Sequence, residues 1–281
     1  MGQGPYDGGQ FDYGRLLVDL RAEHAALDEI VSRLTDAQWD LDTPAPGWKI
    51  RHQMYHLTYF DDAARRAIVE PEPFSKHAPE LMLAGGPDAV AADADALQPA
   101  ELLAQWRARR GEMLAAFETI RPDDRVPWYG PAMSAASFVT ARLEEVWGHG
   151  QDIRDTLGLP PLVSDRLRHI AFLGFRALPY AFVVHGQPVP ASGLRVELEA
   201  PSGDTWEFGD RGAEGGLVRG SALDFCLVVT QRRHVDDTSL TVEGTVATEW
   251  IRIAQAFAGP AGRGRQPGLF PRVTQTTTSD G

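Results

Sequence analysis

Leu16, Leu17, Leu20, Leu27, Ile30, Val31 and Leu34 recur at steps of three and four, the spacing that turns one apolar face of a helix toward a core. The breaker run Pro44-Ala45-Pro46-Gly47 separates this segment from a second helix, predicted from Ile50 to about Val69 and stopped by Glu70-Pro71-Glu72-Pro73. A variable Gly- and Ala-rich connection around Gly85-Gly86-Pro87 follows. Pro99 suits the first turn of a third helix, with Leu102, Leu103, Trp106, Met113 and Phe117 on its inner face. Pro122 and the run Pro127-Trp128-Tyr129-Gly130-Pro131 form a loop into a fourth helix, from about Ser134 to Leu157, ended by Gly158 and Pro160-Pro161. Arg166 to about Val184 reads as a further helix packing on or joining this group.

After His185-Gly186-Gln187-Pro188 the period drops to two. Leu194-Arg195-Val196-Glu197-Leu198 alternates as a half-buried strand does, with Thr205-Trp206-Glu207-Phe208 as its hairpin partner. Ser221 to Thr230 and Thr248 to Phe257 look helical, with a strand at Leu240-Thr241-Val242 between them. The pattern predicts an α+β protein in two domains: a helical one over 12–185 and a smaller α/β one over 190–260. Gly, Pro, Arg and Thr dominate 261–281, which reads as a disordered tail. A length of 281 residues agrees, being long for one core and ordinary for two.

Composition removes several classes of function. A formal charge of −12 argues against a nucleic-acid partner, because a phosphate backbone needs a basic surface. No apolar run approaches the roughly 20 residues that span a bilayer, so no membrane partner is expected. The first nine residues have neither a basic segment nor an apolar run, so no secretory leader is predicted. The single cysteine, Cys226, fits a reducing cytoplasm and sits as a packing residue in the apolar run Leu223 to Val229. Phosphate-loop, dinucleotide and nucleophile-elbow patterns are absent.

The densest chemistry lies on the fourth helix. Glu145, His149 and Asp152 stand at i, i+4 and i+7 and share a narrow strip. At about 100° per residue they fall within roughly 60° of one another. The strip borders the apolar stripe of Leu143, Val146, Gly150, Ile153 and Leu157, while Glu144, Gln151, Arg154 and Asp155 collect on the expected solvent face. Nitrogen and oxygen donors pointing together into a bundle are a common way to hold a divalent metal. The second helix offers two further ligands, His52 and His56, one turn apart on one face. The competing reading is an ordinary polar helix whose carboxylates and imidazole are solvated or capping.

Two signals carry a resemblance. Pro46-Gly47-Trp48, Arg51 and His56-Leu57, followed by Glu145, His149 and Asp152-Ile153, resemble the mycothiol-dependent maleylpyruvate isomerase family, within the wider DinB-like metalloproteins. The likeness covers about 12 to 160, and 190 to 260 resembles the sterol-carrier-like C-terminal domain of the same proteins. His149-Gly150-Gln151-Asp152, Ala222-Leu223-Asp224-Phe225-Cys226 and Arg232-Arg233-His234 narrow it to an actinobacterial subgroup of metal-binding proteins. The resemblance implies a DinB-like four-helix bundle and a divalent metal, zinc foremost, held by His56, Glu145 and His149. It places Asp152 beside them to orient a ligand, and Arg232 or Arg233 as the cation for an acidic substrate. It also implies mycothiol or a similar low-molecular-weight thiol, a small-molecule substrate, and often a homodimer. Trp48, Tyr55 and Tyr59 are candidates to line the pocket, against the plainer reading of core or staple aromatics. For Arg232 and Arg233 the plainer reading is that they complement a helix C-terminus. His24 reads as a partly exposed structural residue, and His77, His169, His185 and His234 have no ligand partner at useful spacing.

The expected activity is therefore a metal-dependent, thiol-using isomerase or S-transferase acting on a small electrophile. Two readings stand against it: a metal-dependent hydrolase that activates water, and a non-catalytic metal-binding protein. The hydrolase would work without thiol, and the binding protein would tolerate loss of Glu145.

Overall fold

The structure, a computed structural model, describes residues 12–83 and 86–270. The fold is α+β, in two compact units that divide between Leu162 and Val163. The division comes earlier than the sequence pattern places it. The helical stretch after Arg166 belongs to the second unit, where it packs against another helix.

The first unit contains α1 (Tyr13–Val31), α2 (Ile50–Val69), α3 (Pro71–Leu83), α4 (Gly86–Ala92), α5 (Pro99–Phe117), a short ribbon of β1 (Arg125–Val126) and β2 (Met133–Ser134), and α6 (Ala135–Thr156). The four long helices pack in a ring: α1 on α6, α6 on α2, α2 on α5, and α5 on α1. Leu16, Leu20, Ile50, Met54, Trp106, Phe117 and Phe138 fill the space they share, each at most 1% exposed. Asp12 caps α1 by accepting from the Arg15 amide, and Ser134 caps α6 by accepting from that of Ser137. Pro71 ends α2 and at once opens α3, because its fixed φ and missing N–H suit a first helical position. The connection expected to be variable and loop-like is thus largely helical.

The second unit contains α7 (Leu167–Arg176), α8 (Leu178–Val184), β3 (Arg195–Glu199), β4 (Thr205–Phe208), β5 (Leu217–Ser221), α9 (Ala222–Val229), β6 (Thr241–Glu243) and α10 (Thr245–Ile253). The sheet runs β4-β3-β5-β6, with β3 parallel to β5 and the other pairs antiparallel. The stretch read as one helix is broken at Ala177 into α7 and α8, whose axes differ by 54°. Pro179, in the first turn of α8, cannot extend the hydrogen-bond ladder of α7. No single helix among the described residues is long and apolar enough to cross a membrane. Cys226 is buried, and its thiol donates to the Leu167 carbonyl at 3.4 Å.

α7 approaches α9 closely at Gly174, where a Cβ would lie 2.6 Å from Val229 Cγ2. We expect Gly174→Ala to destabilise the chain by about 1–3 kcal/mol through overpacking. Gly111→Ala, in α5 with open space around it, should instead stabilise by up to about 1 kcal/mol. Urea unfolding of the two variants checks both signs.

The expected disordered tail is corrected in part. Residues 261–270 form no helix or strand, but backbone amides of Gly262, Gly264 and Gly268 donate to Gln255 Oε1, Gln231 Oε1 and Asp237 Oδ1 at 2.8, 3.3 and 2.7 Å. Composition alone missed this because the anchors are side chains elsewhere in the unit. The remainder of that expectation, 271–281, lies outside the described residues.

Candidate metal centre

Between Phe138 and Ile153, α6 is buried at every position except Ala141, Glu145 and His149. Those three, four residues apart, form a single open strip. The sequence reading had the opposite side in water, yet Glu144 and Gln151 are 2% and 1% exposed. A helical wheel finds a polar side but cannot tell what tertiary structure covers it. Gln151 Nε2 donates to Asp155 Oδ1 at 2.8 Å in place of water, and Glu144 also has a partner.

α2 faces this strip with His56. One ligand atom each of His56, Glu145 and His149 lie within 4.8 Å of one another, and both imidazole Nε2 atoms are 3.2 Å from Glu145 Oε2. The rings of His56 and His149 are 4.3 Å apart. Two nitrogens and a carboxylate oxygen converge on one point from two helices, which is the donor set and spacing a divalent ion requires. Glu145 keeps 26% of its side chain exposed, so the point of convergence is open on one side.

A chain of hydrogen bonds fixes the orientation of His149. Thr43 Oγ1 donates to the Trp48 carbonyl at 2.7 Å, so its lone pairs face Gln53, whose Nε2 donates to it at 2.9 Å. That settles which way the Gln53 amide points. Its Oε1 then accepts from Nδ1–H of His149, which turns Nε2 of His149 toward Glu145. Such a partner fixes the tautomer and ring plane of a ligating histidine. Gln53→Leu should lower divalent-ion affinity by about 10–100-fold without unfolding the chain, read by chelator competition.

Charge follows from burial. Desolvation, then the nearby His149, pushes the His56 imidazole down to about 4. Burial alone would raise Glu145, but hydrogen bonds from His149 and His56 outweigh it and hold the carboxyl well below its usual range. Between about 4 and 6.5, therefore, the unfolded chain takes a proton at residue 56 that the folded chain refuses. The metal-free protein should lose stability as pH falls through that window, and His56→Gln should lose less. Urea midpoints at pH 7 and pH 5 test the difference.

One turn away from the trio lies a buried charge cluster. Arg142 Nη2 of α6 donates to Asp61 Oδ1 of α2 at 2.8 Å, and His24 Nε2 of α1 is 3.7 Å from Asp61 Oδ2. Asp61, Arg142 and His24 are 0%, 2% and 2% exposed, so His24 is a core residue and not a partly exposed one.

Residues 20–154 match the mycothiol maleylpyruvate isomerase N-terminal domain family. Two proteins of Mycobacterium tuberculosis, from strains CDC 1551 / Oshkosh and H37Rv and both named only as uncharacterized, are 45% identical over 260 residues. The match covers 90% of this chain and 99% of theirs. The chain belongs to the mycothiol-dependent maleylpyruvate isomerase family. Crystal structures of a mycothiol-dependent maleylpyruvate isomerase, one of a histidine-to-alanine mutant, share the fold at a TM-score of 0.59 and 17% identity. The alignment covers 86% of this chain and 96% of theirs.

In this member of the isomerase family the other expected site residues divide. Trp48 flanks the trio, its ring 5.3 Å from His56 and stacked 5.9 Å from His149. The turn that places it depends on Gly47, at φ +80, a conformation a side chain would strain. His52 is turned away: its Nδ1 accepts from the Lys49 amide and its Nε2 is 3.1 Å from Asp95. Tyr55 and Tyr59 lie on the half-open side of α2, with Tyr59 edge-on to Phe60. Asp152 is 1% exposed, one turn beyond His149, and gives no atom to the trio. Arg232 and Arg233 follow α9 in the second unit, where Arg232 Nη1 donates to the Thr230 carbonyl and the Arg233 guanidinium lies 4.0 Å over Phe270.

Sequence reasoning missed Thr43, Gln53, Phe60 and the Asp61–Arg142 pair. Phe60 packs 4.6 Å from His56 and carries an aromatic layer of Trp128, Tyr129 and Phe74 behind it. Gln53 had a signal: it lies three residues before His56, a polar side chain on an inward-facing position of α2.

Proposed function

We propose that this chain is a metal-dependent enzyme that uses a low-molecular-weight thiol of the mycothiol type to isomerise or S-conjugate a small electrophile. The observation that carries the reading is the convergence of His56, Glu145 and His149 within 4.8 Å on a strip open at Glu145. The donor set suits zinc, and three protein ligands leave a position for an exchangeable group. Kinship with a mycothiol-dependent maleylpyruvate isomerase supplies the thiol and the reaction class. A divalent ion bound there would make a coordinated thiol acidic enough to be present as thiolate.

The protein's own groups prepare for that chemistry. Both imidazoles turn Nε2 toward the site: Gln53 holds Nδ1 of His149, and burial keeps His56 from taking up a second proton that a metal would have to displace. Trp48 and Phe60 cover imidazole faces and keep water from them. Tyr55 and Tyr59 are assigned to the approach of the thiol, and Asp152 to holding the turn of α6 that carries His149.

Elemental analysis of protein purified without a metal-affinity tag is the first test. Near one divalent ion per chain, followed by turnover only with added thiol, is the expected result. Turnover without thiol would favour the hydrolase, and no metal uptake at all would remove both enzymes.

A further inference from the structure

Five of the seven tryptophans are buried, each at most 4% exposed, and only Trp48 and Trp128 are left half-exposed. Both stand by the metal trio. α2 and α6 meet in antiparallel levels: Gln53 with His149, His56 with Glu145, and Asp61 with Arg142. Trp48 stacks at the His149 end of this series. Trp128 lies past the other end and touches both helices, 6.1 Å from Phe60 of α2 and 4.6 Å from Phe138 of α6. Between Phe138 and Glu145 the open strip carries Ala141, which is half-exposed and has no atom beyond Cβ to stand between Trp128 and the trio.

The Trp128 wall is fixed before any ligand arrives. Its ring lies parallel to that of Phe74 at 5.7 Å, and Tyr129 meets Phe60 and Phe74 edge-on at 5.6 and 5.3 Å. Pro127 and Pro131 restrict the loop between β1 and β2 that bears both residues. A rigid, half-open aromatic face needs little further ordering and offers a plane for stacking. The wall also carries little net charge. Burial raises the Tyr129 phenol above its usual 10, so it stays neutral, and Asp62 and Arg66 act on it with opposite signs. Arg142, the nearest cation on α6, is 2% exposed and bonded to Asp61.

We propose that the small molecule this site takes carries an uncharged aromatic ring, stacked on Trp128 over Ala141, with its reactive carbon toward Glu145 and the two histidines. Ala141 and Glu145 are about 6 Å apart along α6, the reach of a phenyl ring and a short carbon arm. The proposal names the substrate class for the thiol-using reading above and rests on that reading.

Ligand-observed NMR titrations of the full chain as purified, without thiol, test it with benzylacetone and its cyclohexyl analogue. The two share one carbonyl arm, so whatever the metal site does to that arm cancels in their ratio. Benzylacetone should bind about two- to tenfold tighter, and the preference should vanish in Trp128→Leu at unchanged metal content. Ala141→Leu, which fills the floor and leaves Trp128 in place, should weaken benzylacetone about tenfold and decides the matter if the first variant unfolds. No preference in the wild type, a preference that survives Trp128→Leu, unchanged binding in Ala141→Leu, or, after chelation, tighter binding of maleate than of benzylacetone would each overturn it. Thiol-dependent turnover with no ring preference would sink this inference alone. Ring preference in a chain that turns over nothing with thiol would sink the thiol-using reading and uphold the ring site.

Discussion

Glu145→Ala should leave a folded chain that holds no divalent ion and whose thiol-dependent turnover falls by about a thousandfold or more. The size follows from what the carboxylate does. Its Oε2 is the atom both imidazoles face at 3.2 Å, and without it two neutral nitrogens remain to bind a dication. The structural cost is small, because Glu145 sits on the open strip with 26% of its side chain exposed and neither neighbour is stranded as a buried charge. Metal content per folded chain, beside a melting curve, separates the two effects. Metal retention at wild-type level in the variant would move the ion away from this trio.

Asp61→Ala should do the reverse, costing about 3–5 kcal/mol of stability while leaving metal per folded molecule unchanged. Asp61 is wholly buried between Arg142 and His24, so its removal strands a guanidinium in the core. Burial would raise its pKa, but the charge and hydrogen bond of Arg142, with the His24 ring close by, outweigh that and hold it below 3.8. A depressed native pKa means the stabilisation is complete above the unfolded value near 3.8 and is lost as pH falls through the lower native one. Replacing both partners, Asp61→Leu with Arg142→Met, should recover much of the loss, since no charge is then left unpaired. Urea unfolding of the single and double variants decides it.

Local signals were the legible ones. α2 runs from Ile50 to Val69 as its flanking breakers predict, and α6 begins at the serine that caps it. Spacing nominated Glu145 and His149 on α6 and left His52 and His56 both open on α2; the family resemblance singled out His56, and the fold brings His56, Glu145 and His149 together. What escaped was decided by distant partners. β5 is a short, glycine-containing segment whose strand character comes from pairing with β3 and β6, more than one turn of sequence away on either side. Thr43 and Gln53 carry no motif, and their part in orienting His149 exists only once the chain is folded. Arg263 and Arg265 looked like tail composition until their glycine neighbours were seen tied to Gln255 and Gln231.

The burial of α6 also governs how this helix can change over evolutionary time. Between Phe138 and Ile153 any new side chain except at positions 141, 145 and 149 must fit a packed interior, so most exchanges there will be purged for folding alone. Ala141 is the smallest of the three tolerant positions and the one that gives no atom to the trio. A larger or charged residue there would stand over Glu145 at little cost to the fold, which makes position 141 the natural dial by which relatives could alter what the site accepts.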